Sequence, residues 1–192
     1  MILGVTGPSG AGKGTVSKFL EAYGFFHIDT DLLVPDLYPK VLPELICTFG
    51  PEIVSEDGNI SKPKLAAKVF SNPEALQALN SILHPKVMER VKEIICTQQR
   101  EGTEHFCVDG AALFEAHGEE YCDKMLCVLA PKKDRILRIM QRDGISMERA
   151  VERVNGQKED SFYTERADFV IQNTDLNLLK KEIKQIKEML IP

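Results

Sequence analysis

The chain has 192 residues, 43% of them hydrophobic, and its 24 basic against 29 acidic residues leave a formal net charge of −5 and a pI near 5.5. That length and apolar share predict one domain over 1–192, with insertions, rather than two independent ones. The acidic balance leaves no basic footprint for nucleic acid, so the expected partner is a small anionic ligand held by a few local cations. Five cysteines (Cys47, Cys96, Cys107, Cys122 and Cys127) form no CxxC pair, and four histidines (His27, His84, His105 and His117) lack metal-ligand spacing. A zinc site and a disulfide framework are therefore not expected, and a reducing cytosol is. No run of 18 apolar residues occurs and no charged leader precedes the first apolar run, which predicts a soluble, cytoplasmic chain with no membrane partner.

Met1 to Val5 reads as a buried parallel strand that breaks into a loop with glycines at Gly7, Gly10, Gly12 and Gly14. Gly7 to Gly12 with Lys13 satisfies the first seven positions of the phosphate-loop pattern, in which successive amides cradle phosphates and the lysine reaches the outermost ones. The cradle is assigned to Gly10, Ala11, Gly12, Lys13, Gly14 and Thr15, and a helix is expected from Lys13 to about Glu21, its positive end toward the anion. The eighth position, normally a Ser or Thr for magnesium, is Gly14. The hydroxyl must then come from Thr15 or from water, an order also found in adenylate kinases.

Gly24 closes that helix, and Phe25 to Ile28 gives a short strand ending at Asp29-Thr30-Asp31. Ligands gather at the carboxyl ends of strands in an open parallel sheet, so Asp29 and Asp31 are candidates for chemistry, or caps of the next helix. From Leu32 to about Gly102 the texture changes: Pro35, Pro39, Pro43 and Pro51 are expected to divide the chain into short helical pieces, and Glu56-Asp57-Gly58-Asn59 to make a turn. Lys62 to Phe70 is expected as a helix with Leu65, Ala66, Val69 and Phe70 inward. Glu74 to Thr97 follows with Leu76, Leu79, Ile82, Leu83, Val87, Val91, Ile94 and Ile95 on one stripe, and His84-Pro85 is expected to end one helix and start another. Residues 32–102 thus read as a helical insertion of the kind that carries a second substrate.

Glu104 to Asp109 resumes the sheet, and Asp109 at its end is a candidate to hold magnesium through water, to orient Lys13, or to cap a helix over 110–115. Lys124 to Ala130 is a further buried strand. Positive charge concentrates over 132–158, where Arg138 and Arg142 are four residues apart and share a helical face, and Arg149 and Arg153 repeat that spacing beyond Gly144. Two such pairs around a glycine hinge suggest a lid over a donor nucleotide, and the alternative is a solvated face paired with Asp134, Asp143, Glu148 and Glu152. Ala167 to Gln172 is the last strand, and Asn173-Thr174-Asp175 caps a final helix with Leu178, Leu179, Ile183, Ile186 and Leu190 inward. The alternation predicts an α/β, doubly wound parallel sheet of about five strands.

Taken in order, these residues resemble the dephospho-coenzyme A kinase family nearly end to end. The resemblance runs through Gly4-Val5-Thr6-Gly7, Ile28-Asp29-Thr30-Asp31, Phe49-Gly50, Asp57-Gly58, Lys62 to Leu65, Asn72-Pro73, His84-Pro85, Asp109 with Leu113-Phe114-Glu115, Arg142-Asp143-Gly144, Arg153 with Gln157, and Ala167-Asp168 with Ile171 and Asn173. It implies a P-loop NTPase-type fold, ATP as donor and dephospho-coenzyme A as acceptor, with Asp31 as catalytic base, Gly10 to Thr15 as the ATP loop, and Arg138 and Arg142 as lid arginines. The chain departs from the family pattern at Gly14, at Ala111-Ala112, near Val34-Pro35 and at Lys62.

The mechanism so implied is in-line transfer from MgATP to a ribose 3′-hydroxyl, Asp31 taking the proton while Lys13, Arg138, Arg142 and Mg2+ neutralise charge. Thr15 and Asp109 are the candidate magnesium contacts, and Lys62, Lys64 and His84 the candidate acceptor contacts. Two rivals stand beside it: a kinase of the same architecture for a nucleoside or nucleoside monophosphate, and a nucleotide-binding regulator without catalysis. No pattern in the chain specifies an oligomeric state.

Overall fold

The opening apolar run forms β1 (Ile2–Thr6), buried from Leu3 onward, as a strand covered on both faces must be. The four other strands are β2 (Phe26–Asp29), β3 (Phe106–Asp109), β4 (Lys124–Leu129) and β5 (Phe169–Gln172). In this computed structural model, which describes residues 1–69 and 72–191, the strands form one parallel sheet in the order β2-β3-β1-β4-β5. The expected α/β class and five parallel strands are therefore observed. The described helices are α1 (Lys13–Ala22), α2 (Thr30–Phe49), α3 (Lys62–Val69), α4 (Pro73–Arg100), α5 (Lys132–Asp143), α6 (Met147–Asn155), α7 (Asp160–Thr164) and α8 (Leu176–Leu190).

The chain divides into two compact units, Met1–Asp29 with Thr97–Pro192, and Thr30–Cys96. In the first, the register sets Val5 beside Asp109, Asp109 beside Asp29, and Thr6 beside Cys127. The carboxyl ends of β1, β2, β3 and β4 therefore align along one edge, where a doubly wound sheet receives its ligands. The core of this unit joins Leu3, Val5, Leu126 and Val128 of the sheet to Val16 and Leu20 of α1 and to Leu179, Ile183 and Ile186 of α8. Asp175 caps α8, its carboxylate accepting the N–H groups of Asn177 and Leu178. Leu178, expected inward, is exposed: the stripe runs 179-183-186, and residue 178 falls about 100° off it.

The second unit corrects two expectations about proline. Residues 30–49 form one helix, α2, with Pro35, Pro39 and Pro43 inside it, and α4 runs unbroken through Pro85. Each proline lacks the N–H that would bond the carbonyl four residues earlier. Pro35, Pro39 and Pro43 recur every fourth residue, so the defects fall on one stripe, and that stripe is exposed. Water can solvate the carbonyls of Pro35 and Pro39 there, while Leu37, Val41, Leu45 and Phe49 on the opposite face are buried. Pro85 and Ser81, whose carbonyl it leaves unbonded in the helix, are likewise exposed. Burial of Val41, Leu45, Phe49 and Ile53 against Leu65, Val69, Leu79, Ile82 and Leu83 outweighs the local penalty. Leu76, expected on the buried stripe of α4, is 46% exposed near the start of the helix. The expected inward position of Phe70 lies outside the described residues.

A proline in an exposed helical interior costs up to about 3 kcal/mol relative to alanine, less about 0.4–1 kcal/mol recovered by stiffening the unfolded chain. Pro39→Ala is therefore expected to stabilise the chain by about 1–2 kcal/mol in thermal or urea unfolding. An unchanged or lowered midpoint would show that the proline ring itself contributes packing that α2 needs.

Candidate active site

The glycine-rich stretch after β1 turns tightly and enters α1 at Lys13. Gly12 is the N-cap, with φ +100, and a Cβ there would run into the side-chain amide nitrogen of Asn173. Gly10 has φ +80, and a Cβ there would lie 2.7 Å from the Arg135 carbonyl oxygen. Only glycine meets both the backbone and the space requirement at these two positions. Gly14 differs: no atom lies within 4 Å of a Cβ built on it.

The outer side of the loop is fastened to α5 and to the end of β5. Arg138 Nη1 donates to the carbonyls of Gly10 (3.2 Å) and Ala11 (3.1 Å), and its Nη2 donates to the carbonyl of Asn173 at 3.2 Å. Asn173 Nδ2 donates to the Ala11 carbonyl at 2.7 Å. Arg135 Nε donates to the Ser9 carbonyl at 3.2 Å. In a trans peptide the C=O and the N–H point in opposite directions. The amides of Gly10 and Gly12, which share peptide units with the carbonyls of Ser9 and Ala11, therefore face away from α5. Ala11 N–H closes onto the Pro8 carbonyl at 3.2 Å. Beyond the loop, Thr15 N–H already donates to the Gly12 carbonyl at 3.0 Å, so the amides of Lys13 and Gly14 are the ones that precede the helical bonds of α1, and its dipole adds partial positive charge. Lys13 Nζ donates to the Gly7 carbonyl at 3.0 Å, across the mouth of this cradle.

Arg142 extends the cationic face of α5 to its exposed end. Its guanidinium grips Asp143 with Nε at 2.7 Å and Nη2 at 2.9 Å, and Nη2 also reaches Ser9 Oγ at 3.4 Å. Arg153 on α6 donates to the same carboxylate at 2.6 Å. The hydrogen bond from Arg142, with the charge of both arginines, holds the Asp143 carboxyl below the usual carboxylate range. Gly144 ends α5 as expected, and α6 packs back through Ala150 and Val154 onto Ile139.

Asp109 ends β3 in a buried setting, 6% exposed. No helix follows it, as the chain from Ala111 to His117 is in turns. Its Oδ2 accepts from Ser17 Oγ of α1 at 2.8 Å and lies 3.6 Å from His27 Nε2. The carboxylate beside it raises the affinity of His27 for its proton above the ordinary value, against the opposing effect of burial, and Glu21 and Asp29 add to that pull. Thr15 is exposed in the first turn of α1. Among the described residues no group of three or more His, Cys, Asp or Glu side chains makes a metal cage. A hydroxyl and one carboxylate at a phosphate cradle do fit Mg2+, which keeps its waters and binds mainly through nucleotide phosphates.

In the other unit, Asp31 is exposed in the first turn of α2, two residues beyond the end of β2. Lys62 and Lys64 open α3, with Lys64 Nζ donating to the Val54 carbonyl at 3.0 Å, and His84 is half-buried on α4. The sequence assigns no site role to Arg135, Gln157, Ser9, Ser17 or His27. Arg135 carried a usable signal: with Arg138 and Arg142 it makes an i, i+3, i+7 series on one helix face.

A strand, a glycine loop bent by a positive-φ N-cap, a lysine and a helix at the central edge of a parallel sheet define the P-loop kinases as a class. The fold agrees: an Acinetobacter baumannii shikimate kinase matches at a TM-score of 0.59 with 14% identity over 99% of this chain and 92% of that one. The model of the dephospho-CoA kinase family matches residues 1–177, and the chain belongs to that family. A dephospho-CoA kinase of Fusobacterium nucleatum is 37% identical over 191 residues, covering 98% of this chain and 97% of its own. One of Carboxydothermus hydrogenoformans is 36% identical over 176 residues, 90% of this chain and 85% of the relative. The solved dephospho-CoA kinase of Campylobacter jejuni aligns at a TM-score of 0.70 with 26% identity, over 98% of this chain and 96% of that one.

The glycine geometry makes a paired prediction. Gly12→Ala is expected to lower ATP affinity at least tenfold while the protein stays folded, whereas Gly14→Ser is expected to leave it within about threefold, because its Cβ meets no atom. Equilibrium ATP binding of both variants, with circular dichroism as the folding control, checks this. Equal behaviour of the two would mean that the loop relaxes around an added methyl group.

Proposed function

We propose that this chain phosphorylates the ribose 3′-hydroxyl of dephospho-CoA with ATP, giving CoA and ADP. The observation that carries this reading is the phosphate cradle between β1 and α1, in a chain matched by the dephospho-CoA kinase family over 1–177. The nucleotide's phosphates lie in the loop Gly10 to Thr15, against its amides of Gly10, Gly12, Lys13 and Gly14, with the Lys13 side chain on the outermost ones. The 3′-oxygen attacks the γ-phosphorus in line, the bond from that phosphorus to the β–γ bridging oxygen breaks, and ADP leaves.

Asp31 is assigned as the general base that takes the hydroxyl proton, supported by its place as the second acid of Asp29-Thr30-Asp31 after β2 and by the family resemblance there. Arg142 and Lys13 supply positive charge for the transferring group. Arg138 acts on the same charge through the loop, since its guanidinium bonds the Gly10 and Ala11 carbonyls. Mg2+ would be held by Thr15 and, through water, Asp109, and it would supply neutralisation of phosphate charge. The helical stretch 32–102 is the acceptor-binding part, with Lys62, Lys64 and His84 as candidate contacts, and 132–158 is the lid. No described helix is long and apolar enough to cross a membrane. Small-molecule substrates, with no nucleic acid or membrane partner, and a cytoplasmic location complete the reading.

ADP release measured with dephospho-CoA, nucleosides and nucleoside monophosphates as acceptors tests the acceptor, and turnover confined to the nucleosides or their monophosphates would reassign it. Asp31→Asn keeps the shape but cannot take the proton, so kcat is expected to fall about 10²–10⁴-fold with ATP affinity unchanged. Full turnover in that variant would move the base elsewhere, Asp29 being next.

A further inference from the structure

Ser9 is tied through both of its backbone groups to a single pair of side chains. Its N–H donates to Gln157 Oε1 at 2.9 Å, and its carbonyl accepts from Arg135 Nε at 3.2 Å. The pair is itself joined, because Arg135 Nη2 donates to the same Gln157 oxygen at 2.6 Å. One amide oxygen therefore receives two donors, and the ring Ser9, Gln157, Arg135 is closed by hydrogen bonds on every side. Arg135 is 1% exposed, so its guanidinium has little water to fall back on. Beyond Ser9 and Gln157, an Asp160 oxygen lies 3.7 Å from its Nη1. A buried guanidinium depends on such partners to remain in one place.

Arg135 is also the wall against which the loop turns. A Cβ on Gly10 would lie 2.7 Å from the Arg135 carbonyl oxygen and 2.9 Å from its Cα. The peptide joining Ser9 to Gly10 is held at its carbonyl by Arg135, and the N–H at its other end belongs to the phosphate cradle. The preceding peptide, joining Pro8 to Ser9, is held at its N–H by Gln157. Two consecutive peptide planes are thereby fixed before the cradle begins.

We infer that Gln157 is a positioning residue for ATP: its side-chain oxygen fixes the Ser9 peptide and the Arg135 guanidinium, and through them the direction of the Gly10 amide. It touches no reacting atom. It lies just past α6, with its own N–H on the Val154 carbonyl at 3.4 Å, so the same residue joins the end of that helix to the start of the phosphate loop. This role deepens the reading of the loop as an ATP cradle and rests on it.

The test is MgATP binding by calorimetry together with steady-state kinetics in both substrates, on the full chain and two variants. Gln157→Met keeps the length of the side chain and removes the oxygen, whereas Gln157→Glu keeps an acceptor for both donors. The expected result is a Kd and a KM for ATP raised at least tenfold in the Met variant, a KM for dephospho-CoA within twofold, and an ATP affinity in the Glu variant within threefold of wild type. Should the Met variant fail to fold, Gln157→Asn, which withdraws the oxygen by one methylene, is expected to raise the ATP constants at least threefold with the acceptor KM again unmoved. An ATP Kd within twofold of wild type in the folded oxygen-withdrawn variant overturns the role. So does a parallel rise in both KM values, or a Glu variant as weak as the Met one. A wild-type chain that binds no MgATP counts instead against the loop reading itself, which keeps the two failures apart.

Discussion

The hydrogen bonds that draw the carbonyls of Ser9, Gly10 and Ala11 outward onto Arg135, Arg138 and Asn173 are the constraint on which the rest of the structure depends. A loop meant for a polyanion faces a built-in conflict, since every peptide that offers an N–H also carries a carbonyl that repels phosphate. Tight turning alone does not settle which group faces the ligand. Here cationic donors and a neutral amide take the carbonyls, and the trans peptide geometry turns the Gly10 and Gly12 amides the other way. Hydrogen bonds to a charged donor are each worth about 1.5–3 kcal/mol. The loop is thus held in its binding shape before any ligand arrives, and less ordering cost falls on the binding step.

The three arginines of α5 divide this work by depth. Arg135 is enclosed, Arg138 is half-buried and Arg142 is exposed, although all three lie on one face of one helix. The first two are committed to loop carbonyls, so their charge reaches a bound anion through the loop. Arg142 is bonded at the surface to Asp143 and Ser9 Oγ. An exposed ion pair is worth little, about 0–1 kcal/mol. The doubly claimed Asp143 therefore orients Arg142 and Arg153 at the exposed end of α5.

What the sequence discloses follows from where a rule is local. The phosphate loop was legible because glycine spacing, a preceding apolar run and a lysine act within fifteen residues, and Gly144 as a helix stop was legible for the same reason. The prolines of α2 misled because the penalty is local while the compensation is not. Whether Pro35, Pro39 and Pro43 break a helix depends on the face they occupy, which is decided by the burial of Leu37, Val41, Leu45 and Phe49. Gln157 and Asn173 could be seen in the resemblance but had no role there. Their function is to accept from, or donate to, a backbone about 150 residues away, and no spacing along the chain encodes that.

Asp109 shows how one carboxylate joins the sheet edge to the cradle. Almost buried at the end of β3, it needs compensation, and Ser17 Oγ at 2.8 Å with His27 Nε2 at 3.6 Å provides it. Ser17 lies one turn beyond Lys13 on α1, so this bond pins the helix just past the point where the loop delivers it. Loop and helix are then held at two places, by α5 and Asn173 on the outer side and by β3 beneath. Since Val5 and Asp109 are neighbours in the parallel ladder, both anchors refer to the same rigid strands. The position of Lys13 is consequently set by the sheet register as much as by the glycines around it.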